Sequence, residues 1–142
     1  MSILSIATFG LSAASLRVSV AASNIANVQT TGPLPASGGS NTTPASPGIA
    51  PTFPAAYVPL RVDQVSTSGD AAATVSAVSP SYTAQSDPSA PFANQDGLVA
   101  APNVDIASEF VELATAKYSF IANAKVIQAY AETTDTLLDI KA

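Results

Sequence analysis

The 142-residue sequence predicts a mainly α chain, with a long helix at each end and a small β region between them. Three observations carry that expectation. All eleven prolines lie between Pro33 and Pro102, so neither end segment holds the residue that most effectively breaks a helix. The N-terminal segment repeats apolar residues every seven positions, and the C-terminal segment runs from Asn103 to Ala142 without Gly or Pro. These features divide the chain into a helix at 1–31, a Pro/Gly/Ser-rich linker at 32–56, a β-hairpin and turn at 57–102, and a second helix at 103–142.

In the first helix, Leu4, Leu11, Val18 and Ile25 sit seven apart, and Ala7, Ala14, Ala21 and Val28 each follow three residues later. That is an a/d seam over four heptads, and Ala at d permits close approach of a partner helix. Ile3, Ile6, Phe9, Leu16 and Val20 occupy other faces, and Arg17 is the sole charge. Such a helix should be surrounded by protein; the alternative is one buried helix inside a globular domain. Ser2, Ser5, Thr8, Gly10, Ser12 and Ser15 interrupt the run before Arg17, which reads as too short and too polar for a membrane span. No basic stretch precedes it, so a cleaved secretory signal is not expected.

Between Gly32 and Pro54, ten of 23 residues are Pro or Gly, without periodicity. That stretch reads as a linker, since it has too little apolar area to offset ordering entropy. Val58, Leu60 and Val62 then alternate with Pro59, Arg61 and Asp63, and after Ser68-Gly69-Asp70 a second run alternates Ala71, Ala73, Val75 and Ala77. One hairpin is predicted, with Pro59 marking an edge strand. Two strands are marginal alone and must lean on a helix or a neighbour.

In the last segment one seam runs through Ile106, Phe110, Leu113, Phe120, Ala124, Ile127, Ala131 and Leu138. A second stripe carries Val111, Ala114, Tyr118 and Ile121, so more than one partner helix is expected. Asn103 or Asp105 can cap the start, where Glu109 and Glu112 suit the positive end of the dipole. Asp135 and Asp139 oppose it at the far end, so the last turn should fray. At 1.5 Å per residue the two helices reach about 40 to 60 Å, long for a compact domain of this size.

Composition bounds the function. Apolar residues are 47% of the chain, but 28 of them are Ala, and charged residues are only 11% against roughly 25% in an ordinary soluble domain. The chain therefore cannot build a large core of its own, yet lacks the charge to solvate an isolated surface. Much of it should be covered by other protein. Without His or Cys there is no imidazole base, no thiolate and no ordinary zinc site. A net charge of −5 argues against a nucleic-acid partner. Glu109 and Glu112 read as a solvated or inter-subunit face, Asn94-Gln95-Asp96-Gly97 as a turn in place of a calcium loop, and Asn41-Thr42-Thr43 as a chance sequon. No catalytic residue, metal ligand or cofactor site is expected.

Ala22-Ser23-Asn24-Ile25-Ala26-Asn27, followed by Thr30 and Gly32, resembles the Asn-rich signature ending the N-terminal helix of bacterial flagellar rod and hook proteins. Asp87-Pro88, Pro91, Gly97-Leu98-Val99 and Pro102-Asn103-Val104-Asp105 resemble the approach to the C-terminal helix in the proximal-rod FlgC-type protein, with Glu109 and Ala122-Asn123 inside that helix. The resemblance covers 1–32 and 85–142. It departs at Ala90, where the family often has His, and at Leu98, where it has an aromatic.

The resemblance implies that the two terminal helices pair as an antiparallel-type coiled coil and polymerise with copies of the chain and with other rod and basal-body proteins. It also implies export through the flagellar type III apparatus without a cleaved signal, to the periplasmic part of the basal body, in service of motility. The implied assembly seam is Leu4, Leu11, Val18, Ile25, Ile106, Phe110, Leu113, Phe120, Ile127 and Leu138. The implied motif positions are Ser23, Asn24, Asn27, Thr30, Gly32, Asn103, Asp105, Glu109 and Asn123. Asn24 and Asn27 either cap the helix end or bond to a neighbour. The rival expectation is an exported coiled-coil adaptor or accessory flagellar protein that shares the helices and does not build the rod.

Overall fold

The computed structural model describes residues 2–35, 53–67 and 70–141. Most of the linker, the Asn41-Thr42-Thr43 sequon and the Ser68-Gly69 turn lie outside these residues. Two long helices, α1 (Ile3–Asn27) and α2 (Ile106–Lys141), bracket four strands: β1 (Leu60–Thr67), β2 (Asp70–Ala77), β3 (Tyr82–Ser86) and β4 (Leu98–Pro102). The chain divides into two compact units.

One unit holds α1, the β1–β2 hairpin and α2. Ser2 starts α1: its Oγ accepts the Leu4 N–H at 3.3 Å and its carbonyl accepts the Ile6 N–H at 3.2 Å. Asp105 starts α2. Its carboxylate accepts the Ala107 N–H at 3.0 Å and the Ser108 hydroxyl at 2.9 Å, and these bonds, Ser108's first, hold its pKa below the ordinary carboxylate value. Within α2, the hydroxyls of Thr115, Thr133, Thr134 and Thr136 donate to carbonyls four residues back, so each polar group is satisfied on its own helix. The helix continues past Asp135 and Asp139 to Lys141, where fraying was expected. An unfavourable charge near a helix C-terminus costs only about 0.3–1 kcal/mol, too little to open the backbone ladder.

The β1–β2 pair is antiparallel, with Leu60 opposite Ala77 and Thr67 opposite Asp70. On one face Arg61 donates to Ser76 Oγ at 3.1 Å and pairs with Asp63 at 3.3 Å, while the Ser76 hydroxyl donates to Asp63.

The other unit, Asn27–Pro59 with Val78–Val104, contains a second two-stranded sheet that the sequence reading did not anticipate. β3 and β4 run antiparallel from Tyr82 opposite Pro102 to Ser86 opposite Leu98. On the other side of β4, Gly32 exchanges both backbone hydrogen bonds with Ala100, at 3.0 and 2.9 Å. Val99, Ala100, Ala101 and Pro102 are buried, whereas every residue of β3 is exposed. A Cβ at Gly32 would collide with the backbone of Ala55 and Ala56, so only glycine fits there. Asn94 Oδ1 accepts the N–H groups of Asp96 and Leu98 at 3.0 and 2.8 Å, and Gly97 takes φ +71° to close the turn. Asn103 donates from its backbone to Ser81 and from its side chain to Pro80, leaving the helix cap to Asp105.

Candidate assembly surface

The inner face of α1 is a stripe of small residues. Ala7, Ala14 and Ala21 are buried, and Gly10, Arg17 and Asn24 follow each by three positions. Contacts from this second row fix the partner: Asn24 meets Glu109, Arg17 meets Glu112, and Gly10 lies against Asn123. As numbering falls along α1 it rises along α2, so the helices touch in antiparallel order. Small side chains allow the approach. A Cβ at Gly10 would strike the Asn123 side-chain amide, and opposite the stripe Ala116 is fully buried.

Asn24 is the joint of this unit. Only 1% exposed, its Nδ2 donates to the Leu60 carbonyl at 2.7 Å and to Glu109 Oε1 at 2.8 Å, while its Oδ1 accepts the Leu60 N–H at 3.1 Å. One side-chain amide thus imitates a neighbouring strand for Leu60 and holds a carboxylate of α2. Each neutral bond of this kind contributes about 1 kcal/mol net, and the bond to the carboxylate roughly 1.5–3. Removing the amide would leave a buried N–H and C=O unpaired. Asn27 lies at the end of α1, where its carbonyl accepts the Thr30 N–H at 2.9 Å. Ser23 is half-buried in the last turns of the same helix.

Arg17 Nε faces Glu112 Oε1 at 3.3 Å as an ion pair without hydrogen-bond geometry. With Glu112 half exposed, the pair contributes at most about 1 kcal/mol. Beside it a cleft of about 290 Å³ is lined by Leu60, Arg61, Ser108 and Glu109 among others, and its lining holds two Arg and two Glu. Its charges balance, and among the described residues no cluster of acidic side chains is placed to hold a metal.

The outer faces differ. Leu4 and Val18 are exposed and Leu11 and Ile25 half-buried on α1; on α2, Ile106, Phe110, Phe120 and Leu138 are exposed, with Leu113 and Ile127 half-buried. Ile3, Ile6, Phe9, Val111, Tyr118 and Tyr130 add to this surface. Large apolar side chains stand exposed over much of two long helices, and such a surface marks a site of contact with protein or membrane, since each one fully buried contributes about 1.5–3 kcal/mol. Between α1 and α2 an apolar groove of about 560 Å³ is lined by Ser15, Val18, Leu113, Lys117, Phe120 and Ile121. By length and composition α1 is also apolar enough to cross a membrane, although its leading half had read as too polar. The run extends beyond Arg17 to Asn27, and that single charge does not end it.

Residues 4–33 match the family described as flagella basal body rod protein, and residues 95–140 match the flagellar basal body rod FlgEFG protein C-terminal family. Both matches are flagellar rod families. They fall on α1 with its Thr30–Gly32 exit and on β4 with α2, leaving 34–94 unmatched. The rod-family matches support a structural role in the flagellar rod or hook, at the basal body and among other basal-body proteins. These are structural families, in line with a surface built for contact. No curated protein matches the chain.

The sequence alone left Asn24 unassigned and passed over Gly10, Arg17 and Ala116. Gly10, Arg17 and Asn24 form a row at seven-residue spacing, which is the signal that would have found them. Their pairing with Asn123, Glu112 and Glu109 had no local signature, because each partner stands 85 or more positions away.

Proposed function

We propose that this chain is a structural subunit of the bacterial flagellar basal-body rod, of the proximal-rod FlgC type, polymerising through its terminal helices. The two helices pair as an antiparallel coiled coil within each subunit, and their outer faces bind neighbouring copies and adjoining rod proteins. The subunit passes through the flagellar type III export apparatus without a cleaved signal and works in the periplasmic part of the basal body. The supporting observation is that the two segments matching rod families are the two helices that meet through Asn24 and Glu109, with their larger apolar side chains turned outward. Burial of that surface on neighbours supplies the free energy of assembly.

The test is quantitative mass spectrometry of purified hook–basal bodies. A rod subunit is present there at a copy number similar to the other rod proteins. Expression of the chain with its absence from the particle would refute the reading and favour an exported adaptor.

A further inference from the structure

Contacts between α1 and α2 include Asn24–Glu109 and Gly10–Asn123, and α2 continues beyond Asn123 for 18 more residues to Lys141. From residue 131 to residue 140 every side chain is exposed, with Leu138 at 62% and Ile140 at 77%. These turns carry Glu132, Asp135 and Asp139. The groove of Val18, Leu113, Phe120 and Ile121 has the opposite character: it is apolar, and its one charge is Lys117, which forms no ion pair among the described residues. Asp135 and Leu138 are three apart and share a helix face, as do Lys117 and Phe120.

Resting on the rod-subunit reading, we infer that the last turns of α2 from one copy seat in this groove of a second copy, with Leu138 on its apolar floor and Asp135 against Lys117. The groove and the turns that fill it are different surfaces, so the contact is head-to-tail. Repeated without closure, it generates an open helical assembly.

The absence of native Cys makes the contact directly testable by cross-linking. Ser15→Cys and Thr134→Cys are placed on separate copies, co-expressed, and treated with a short bismaleimide in isolated basal bodies. A mixed dimer that needs both variants is the expected product. Lys117→Glu should lower its yield and the incorporation of the chain about two- to five-fold, as loss of an exposed ion pair implies, and Asp135→Lys in the same chain should restore both. Normal incorporation of both cysteine variants without a 15–134 adduct overturns the inference while the rod-subunit reading stands. So does an adduct formed only with a different basal-body protein, or failure of the reversed pair to rescue. Absence of the unmodified chain from basal bodies removes both.

Discussion

The inner stripe of α1 and the outer turns of α2 are built on opposite rules. Ala7, Gly10, Ala14, Ala21 and Asn24 are small or hydrogen-bonded, and the buried members of that row touch their own chain. Residues 131–140 of α2 include large aliphatic side chains, and every one of those residues is exposed. Close packing inside the subunit is made with little apolar area per residue, while the residues with the most area to bury stand outside. On the rod-subunit reading, a chain organised this way keeps modest stability alone and holds its main hydrophobic gain for assembly.

That contrast can be broken most forcefully from the outside. Phe120→Asp puts a charge on the groove surface, where the side chain is 47% exposed in the subunit. We expect incorporation into basal bodies to fall at least about tenfold, as an unpaired charge desolvated in the assembly costs several kcal/mol. The urea midpoint of the purified full chain should barely move. A large loss of subunit stability would mean that Phe120 serves the fold and not the interface.

From the inside, Asn24→Leu removes the amide that serves Leu60 and Glu109. The expected loss is about 2–4 kcal/mol in urea unfolding followed by helical circular dichroism, since a buried N–H, a C=O and a carboxylate lose their partner together. An unchanged midpoint would show that the hairpin does not depend on this joint.

The smallest expected effect sharpens the comparison at the start of α2. Asp105 has a pKa held below the ordinary carboxylate value by Ser108 and the Ala107 N–H. Its contribution is therefore complete above the unfolded-state value and disappears as pH falls through the lower folded-state value. Asp105→Ala should reduce helicity slightly at neutral pH, and the difference from the unmodified chain should vanish in acid. A difference that persists at the lowest pH would assign the cap to another group.

The sequence alone determined where the long helices lie, because Pro is absent from both ends and apolar residues recur at helical spacing there. It also determined the β1–β2 hairpin, from the two alternating runs on either side of Ser68-Gly69, and the absence of His and Cys. These are local or compositional properties. Tertiary structure alone decided the second sheet: Tyr82–Ser86 is exposed throughout and carries no alternating pattern, and β4 is covered on its other side by Gly32, 68 positions earlier. It also decided which helix face is inner. The heptad offered both the large row through Leu11 and the small row through Ala14, and the small row is the one buried. Asn24 shows the reason. Its amide is satisfied by Leu60 and Glu109 together, and a hydrogen bond between residues 85 positions apart leaves no trace in the sequence near either of them.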